Sequence, residues 1–228
     1  MNPESHILQS WQQNATAWTD TVRQNRIESR TLVTNQAIVE AVTALRPRSV
    51  LDLGCGEGWL ARTLVSRGSR VVGVDAVPTL IEQARAAGGA TYHVSSYEDI
   101  IQGSLASLAP FKTVVCNFSL FAETLVDRLI QYIPQLLGSE GHLVIQTLHP
   151  LMALGDHPYC DGWRDGSWQG FSEAFVNPAP WYFRTLASWI ALMNSHGLTL
   201  DTVQEPIHPQ TQQPASIIFV SKRSILHS

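Results

Sequence analysis

The spacing of apolar residues changes near residue 47 of the chain. Over residues 7–45, turn-forming residues are few, and Ile38, Val39 and Val42 recur at the three- and four-residue spacing of a helix. The pattern predicts a helical segment that precedes the main domain.

Short runs of β-branched residues and leucine then alternate with helical stretches. The first run, SVLDLG, ends in glycines and is typical of a buried parallel strand. Further runs follow at Arg70–Asp75, Ala90–Val94, Lys112–Asn117 and His142–Thr147. This alternation predicts a doubly wound βαβ sheet. The last two runs, Leu198–Gln204 and Ala215–Lys222, are joined by a connection too short for a crossover helix, so we expect them to pair antiparallel.

Composition narrows the class of protein. The chain has 228 residues, 44% of them hydrophobic and 15% charged, which suits one compact α/β domain. Its formal net charge is -4 and its basic residues are scattered, so nucleic acid is a disfavoured partner. We expect no membrane segment, and a monomer or homodimer with reduced thiols at Cys55, Cys116 and Cys160 in the cytoplasm.

A glycine-rich turn follows the first strand, in the sequence DLGCGEG from Asp52 to Gly58. Three alternate glycines allow a tight turn and a close approach of the backbone to a ligand. The spacing is G-x-G-x-G, with Trp59 next, and it differs from the G-x-G-x-x-G of dinucleotide sites. Asp75 ends the second strand, where its carboxylate can accept hydrogen bonds from both hydroxyls of a ribose. These residues favour a nucleoside ligand without a pyrophosphate.

The segments VLDLGCGEGWLA and VVGVDAVPTLIEQAR resemble the first two motifs of class I S-adenosylmethionine (AdoMet)-dependent methyltransferases, and the likeness covers roughly residues 49–146. It implies a Rossmann-like three-layer α/β/α sandwich whose seven-stranded, mostly parallel sheet has the order 3-2-1-4-5-7-6 and an antiparallel last strand. We expect the parts in sequence to be an N-terminal helical cap (1–46), an AdoMet-binding core (47–148), a lid inserted after the fifth strand (149–184), and a C-terminal helix with an antiparallel hairpin (185–228).

The resemblance also implies a cofactor site. Gly54, Cys55 and Gly56 are expected along the methionine part of AdoMet. Asp52 is expected to orient the turn and the ammonium group, and Asp75 to bind the ribose. The remaining expected cofactor contacts are Ala76, Leu80, Ser96, Tyr97, Asn117 and Phe118 in the core, with Trp18 and Arg30 from the cap.

The cap carries aromatic and basic residues at helical spacings. Trp11 and Trp18 are seven residues apart and share one face, and Arg23, Arg26 and Arg30 follow. Trp18 is a candidate to cover the sulfonium, Trp11 to contact the acceptor, and Arg30 to pair with the methionine carboxylate. The alternative is a helix anchored by its tryptophans, with solvated arginines.

The long segment between the fifth strand and Arg184 is rich in aromatic residues, which favours an ordered lid over disorder. The candidate acceptor contacts are Trp11, Leu120, Phe121, Tyr159 and Trp181. Alternatively, the lid rings only pack the insertion onto the sheet. The fourth-strand motif NFSL lacks the two prolines found in enzymes that methylate amino groups of nucleic-acid bases, so we expect a small-molecule acceptor. Carboxylates for a hard cation are missing from this motif, so we expect no metal.

His149 follows the fifth strand and is the first candidate for a general base. Tyr182, His157 and His208 compete for this role, and a structural role for His149 is an equal alternative. The sequence thus predicts AdoMet-dependent methyl transfer to an O, N or C atom of a small molecule. The alternatives are a protein that binds AdoMet or S-adenosylhomocysteine without turnover and, on a related sheet, a nicotinamide-dependent oxidoreductase.

Overall fold

The computed structural model describes residues 2–224. The predicted segments 1–46 and 185–228 also include Met1 and residues 225–228, which lie outside the described residues. The helices are α1 (Pro3–Arg23), α2 (Asn35–Ala44), α3 (Trp59–Ser66), α4 (Pro78–Ala87), α5 (Tyr97–Ile101), α6 (Thr124–Leu136) and α7 (Leu186–Ser195). The strands are β1 (Ser49–Leu53), β2 (Arg70–Asp75), β3 (Thr91–Val94), β4 (Phe111–Asn117), β5 (Leu137–Thr147), β6 (Gly162–Arg164), β7 (Trp181–Phe183), β8 (Leu198–Gln204) and β9 (Ile217–Arg223). Within this range no helix is both long and apolar enough to cross a bilayer.

Seven strands form one sheet in the order β3-β2-β1-β4-β5-β9-β8. The first five strands in this order pair in parallel, whereas β9 runs antiparallel to both β5 and β8. The predicted order is confirmed once β6 and β7, which form a separate two-stranded sheet, are set aside.

Helices cover both faces of the large sheet. Leu51 and Leu53 of β1 point into a core shared with α5, α6 and α7. Val50, on the opposite face, packs in a second core with α2, α3 and α4. Because side chains alternate along a strand, Asp52 shares the face of Val50. This is the predicted three-layer sandwich.

The predicted strand limits agree closely for most of the sheet and fail at β5. The limits of β2 and β8 match the prediction residue for residue. Strand β5 begins at Leu137 rather than His142, because Leu137 pairs with Phe111 at the start of β4. The intervening GSEG segment has the composition of a turn, and it lies where the register between β4 and β5 shifts.

The cap contains two helices separated by a turn. Helix α1 ends at Arg23, and Asn25 adopts a left-handed conformation with φ 52°. Arg23, Arg26 and Arg30, which follow one another at helical spacings in the sequence, therefore do not lie on one helix. Arg30 instead opens a π-helical turn, Arg30–Thr34, that leads into α2.

The segment 149–184 is anchored on α1. The side-chain amide of Asn14 donates to the carbonyl of Val176 at 2.8 Å and accepts from its N–H at 2.8 Å. The Ser10 hydroxyl donates to the carbonyl of Asn177 at 2.7 Å. Both α1 side chains are buried, so the cap and this part of the lid form one packed unit.

Candidate active site

The glycine-rich turn lies between two close neighbours. Gly54 and Gly58 have φ angles of +72° and +83°. A Cβ atom on Gly54 would lie 2.3 Å from the Cβ of Ser119, and one on Gly58 would lie 2.6 Å from the hydroxyl of Tyr92. Only glycine satisfies both the backbone conformation and the space. The turn is thus held between the segment after β4 and the ring from β3.

Asp75 fixes the shape of this turn. One carboxylate oxygen accepts from the N–H of Gly56 and the other from the N–H of Val77, both at 2.9 Å. Burial raises the pKa of Asp75, and these backbone hydrogen bonds partly offset the rise. Each oxygen keeps lone pairs for further donors. The neighbouring Ala76 is half-buried at the same edge of the sheet.

Three buried oxygens lie near the carboxyl ends of adjacent strands without a donor. Asp52 is 1% exposed, and burial, followed by the charge of Asp75, raises its pKa to about 7. Its Oδ2, the Oδ1 of Asn117 and the Oε1 of Gln146 have no hydrogen-bond partner among residues 2–224. The alternation of side chains puts all three on the α2 side of the sheet. Buried acceptors without donors fit a donor-rich cation such as an ammonium group.

Arg30 provides a charge of the opposite sign. Its guanidinium lies 5.5 Å from the ring centroid of Trp18 and 4.9 Å from that of Trp59. Its Nε donates to Asn35, while its buried Nη2 has no partner within the described chain. Burial lowers the pKa of Arg30 to about 10, and the charge of Glu57 opposes this shift. A buried, charged nitrogen without an acceptor fits an anionic oxygen.

Sequence reasoning missed Glu57, which lies inside the glycine-rich turn. It is 1% exposed, and its carboxylate pairs with Arg23 at 3.0 Å and Arg62 at 2.8 Å. The pair with Arg23 joins the end of α1 to the turn. Arg62, five residues further along, was a local signal for such a pair, whereas nothing local indicated Arg23.

The residues expected around adenine have structural partners of their own. Ser96 caps α5 by exchanging hydrogen bonds with Asp99, and its hydroxyl lies 2.7 Å from that carboxylate. Tyr97 donates from its hydroxyl to the carbonyl of Ser119 at 3.1 Å, beneath the glycine-rich turn. Leu80 is 3% exposed and packs under the tryptophans of α1. In this conformation Tyr97 packs beneath the glycine-rich turn and Leu80 packs beneath the tryptophans of α1, so both support the site from the protein interior.

Aromatic contacts join the cap to the acceptor side. The rings of Trp11 and Trp18 meet edge to face at 5.2 Å, so the predicted shared face is confirmed. Trp11 also stacks on Phe121 at 6.3 Å. Phe118, three residues before Phe121, has φ +50° and donates its N–H to the carbonyl of Gln146 at 2.8 Å. Trp18 lies over the glycine-rich turn, with its Nε1 3.7 Å from the Cβ position of Gly56.

A cleft lies beside this aromatic cluster, between the ends of β4 and β5 and the lid strand β7. Its walls include Leu120, Phe121, Thr147, Trp181, Tyr182 and Trp189. Tyr159 was expected in this pocket but lies outside it, because its hydroxyl accepts from the N–H of Leu186 at the start of α7 and its side chain is 45% exposed. Of the other expected acceptor contacts, Leu120, Phe121 and Trp181 line the cleft, and Trp11 stacks on Phe121.

Both ring nitrogens of His149 have hydrogen-bond partners within the protein. Its Nδ1 accepts from the N–H of Leu151 at 3.3 Å, so its Nε2 carries the proton and donates to Glu205 at 2.7 Å. Both ring nitrogens are occupied and the side chain is 4% exposed. These contacts favour the structural alternative, and the role of His149 as a general base stays a prediction. His208 similarly accepts backbone N–H groups in its own turn, and His157 is exposed in the lid.

The second catalytic candidate, Tyr182, lies in the lid strand β7. Burial and then a hydrogen bond to Glu123 raise the pKa of its hydroxyl, which therefore stays protonated near neutral pH. Its backbone N–H donates to the carbonyl of Phe121 at 2.8 Å, and its ring packs against Trp163 and Arg184. Glu123, a residue that sequence reasoning missed, also accepts from the indole of Trp163 at 3.1 Å.

Within residues 2–224, no group of three or more His, Cys, Asp and Glu side chains lies close enough to hold a metal ion. Cys55 and Cys116 are buried and Cys160 is exposed, and all three are free thiols.

Comparison with known proteins gives similarity in both sequence and structure. Residues 50–141 match a family described as "Methyltransferase domain". A ubiquinone biosynthesis O-methyltransferase of Xylella fastidiosa (strain M23) is 30% identical over 109 residues, which are 46% of this chain and 43% of that enzyme. This chain therefore spans less than half the length of that curated relative.

Solved structures show the same fold. The 1,6-didemethyltoxoflavin-N1-methyltransferase of Burkholderia thailandensis, crystallised with 1,6-didemethyltoxoflavin and S-adenosylhomocysteine, matches with TM-score 0.65 and 15% identity over 97% of this chain and 89% of that one. A protein of Listeria monocytogenes described as a putative S-adenosylmethionine-dependent methyltransferase matches with TM-score 0.62 and 18% identity, over 78% of this chain and 92% of its own. The predicted fold class is confirmed.

Proposed function

We propose that this chain, which carries the methyltransferase domain of the class I AdoMet-dependent family, transfers the methyl group of AdoMet to a small-molecule acceptor. The observation that carries the proposal is the pair of unsatisfied buried charges at the cofactor edge of the sheet. Asp52 offers a carboxylate oxygen without a donor, and Arg30 offers a guanidinium nitrogen without an acceptor. A ligand that ends in an ammonium and a carboxylate satisfies both.

The remaining cofactor contacts follow from the geometry of the turn. Asp75 accepts hydrogen bonds from the two ribose hydroxyls with its free lone pairs, while the backbone N–H groups of Gly56 and Val77 fix the orientation of its carboxylate. The backbone of the turn from Gly54 to Gly56 lies along the methionine portion. Ala76 and Ser96 border the adenine. AdoMet, when bound, supplies a methyl group on a positively charged sulfur that is already activated for transfer.

Trp18 and the residues after β4 exclude water from the transfer. Trp18 covers the glycine-rich turn, and an indole face attracts a cation such as a sulfonium. Phe118, in its left-handed conformation, turns the chain from the end of β4 towards the acceptor side. In-line displacement depends mainly on how well the acceptor atom is oriented and on a dry site.

The acceptor binds in the cleft under β7. Phe121 and Trp181 provide flat apolar walls, and Thr147 and Tyr182 provide hydroxyl groups that orient a polar substituent. Because both ring nitrogens of His149 have protein partners and the raised pKa of Tyr182 keeps its hydroxyl protonated, positioning is the main contribution of these residues. We propose an acceptor with aromatic character that fits between these rings. We propose no metal ion in the reaction.

Turnover is tested with methyl-labelled AdoMet and a panel of small aromatic alcohols and amines. Mass spectrometry measures S-adenosylhomocysteine and labelled product. We expect both products together with at least one acceptor, and neither in its absence. Binding of AdoMet with no product across acceptors that bind would favour the alternative of a binding protein without turnover.

Asp75→Ala tests the proposed contact with the ribose of the cofactor. We expect it to weaken the affinity for S-adenosylhomocysteine roughly 10- to 100-fold, because hydrogen bonds to a charged group contribute about 1.5–3 kcal/mol. Glu82→Ala is the control, because Glu82 is exposed on the neighbouring helix α4. Equal affinities of the two variants would contradict the ribose role of Asp75.

A further inference from the structure

We infer that Gln146 is a positioning residue for the amino-acid end of the cofactor, and that it acts by holding the π-helical turn that carries Arg30. The inference rests on the proposed cofactor. It assigns a role to a residue at the end of β5 that sequence reasoning did not single out.

The first observation is a direct tie between the sheet and the turn. Gln146 is 1% exposed, and its side-chain nitrogen donates to the carbonyl of Thr34 at 3.2 Å and to the hydroxyl of Ser216 at 2.9 Å. Thr34 is the last residue of the π-helical turn and is itself buried. The amide therefore fixes one end of that turn to the centre of the sheet edge.

The second observation is that Arg30 stands at the other end of the same turn. The N–H of Asn35 donates to the carbonyl of Arg30, which closes the wide ring of a π-helix, and the Asn35 side chain accepts from Nε of Arg30. Single π-helical turns of this kind are frequent at functional sites. The turn rotates the guanidinium onto Trp18 and Trp59, and its Nη2 is left for a ligand.

The third observation is that Gln146 holds the opposite wall of the same site. Its backbone carbonyl accepts the N–H of Phe118, in the segment that closes the glycine-rich turn. Its Nε2 is directed to Ser216, just before β9, and to Thr34, and Asn117 is the registered neighbour of Gln146 on β4. One residue thus sets the spacing between Arg30 and the end of β4.

This arrangement predicts a ligand-selective defect. Gln146→Met keeps the approximate size of the side chain and removes the donor to Thr34 together with Oε1, and the double-variant cycle with Arg30 separates these two effects. We expect the Kd for S-adenosylhomocysteine to rise about tenfold, since a displaced Arg30 loses part of a charge-assisted hydrogen bond. The Kd for 5′-methylthioadenosine, which has the nucleoside and the sulfur but no amino-acid end, is expected to change less than about twofold.

A double-variant cycle then tests whether Gln146 acts through Arg30. Arg30→Gln is expected to show the same selective loss, and Arg30→Gln combined with Gln146→Met should bind no more weakly than Arg30→Gln alone. Ser216→Ala is the matched control, because it removes the other partner of the same amide nitrogen and leaves Thr34 in place. We expect it to retain affinity for both ligands.

Three results would overturn the inference: no loss for Gln146→Met, an equal loss for both ligands, or additive effects in the cycle. If Gln146→Met fails to fold, Gln146→Leu replaces it, because it also lacks the amide donor and adds no charge to the site. Failure of the parent protein to bind either ligand is a different outcome, which rejects the proposed cofactor itself.

Discussion

The pH dependence of cofactor binding depends on Asp52. This carboxylate is 1% exposed, and its pKa is raised to about 7 by burial and then by Asp75. It is therefore largely protonated at pH 6 and largely ionised at pH 8. The proposed ammonium of the cofactor binds the ionised form. Asp52→Asn removes the titration and keeps the size of the side chain.

The magnitude follows from the ionised fraction. With a pKa of about 7, roughly nine-tenths of Asp52 is ionised at pH 8 and roughly one-tenth at pH 6, so the affinity of the parent should fall about tenfold between these values. Asp52→Asn should show no such fall. At pH 8 the variant should bind about 10- to 100-fold more weakly, because it lacks the charge-assisted hydrogen bond.

The raised pKa of Asp52 also affects stability without ligand. As pH rises, the affinity for the cofactor should rise, whereas the free energy of unfolding should fall. The pKa of Asp52 is 3.8 for the free side chain and about 7 in the folded protein, so stability is highest below the lower value and falls as pH rises towards the upper one. A difference of about three units corresponds to about 4 kcal/mol. Asp52→Asn should remove this loss and raise the free energy of unfolding at pH 8, measured in urea.

Isothermal titration calorimetry with S-adenosylhomocysteine at pH 6, 7 and 8 is the assay. The amino group of the ligand titrates identically in both experiments, so the ratio of the parent and variant affinities isolates Asp52. A ratio that stays constant across this range, or a variant that binds as tightly as the parent at pH 8, would refute the reasoning.

Three further substitutions test other parts of the site. Gly54→Ala should lower the free energy of unfolding by roughly 2–5 kcal/mol in urea, since it combines a left-handed alanine with a clash at Ser119, whereas Gly68→Ala, with open space around it, should cost about 1 kcal/mol. Similar losses for both would remove the argument for close packing. His149→Ala should leave the affinity for S-adenosylhomocysteine unchanged and reduce stability by about 1–3 kcal/mol; a selective loss of turnover would support its role as a base. Tyr182→Phe should lower turnover by no more than about tenfold, the loss of one orienting hydrogen bond, and a loss above about 100-fold would mean that its hydroxyl takes part in proton transfer.

The sheet was predictable because its signals are local. Buried parallel strands appear as continuous apolar runs, and the limits of β2 needed no information from elsewhere in the chain. The glycine-rich turn and Asp75 were equally local, since three glycines at alternate positions and an acidic residue at a strand end are visible in the sequence. The lid strands β6 and β7, with three residues each, were not predicted because their order comes from packing against the rest of the fold.

The errors arose where a side chain finds a distant partner. His149 lies at the expected edge of the sheet, but Glu205, 56 positions away, occupies its Nε2. Glu57 pairs with Arg23 across 34 positions, and Gln146 reaches Thr34 across 112. Spacing along one element carries no information on such contacts, so the partner of the candidate base and two residues that support the site were missed.

Thermal unfolding with AdoMet, S-adenosylhomocysteine and NAD tests the central claim most directly. A ligand at about 100 times its Kd adds roughly 2.7 kcal/mol, which for a domain of this size raises the Tm by about 5–10 °C. We expect this rise with AdoMet and with S-adenosylhomocysteine, and none with NAD. Unchanged Tm values with the first two ligands, or a rise with NAD alone, would contradict the account.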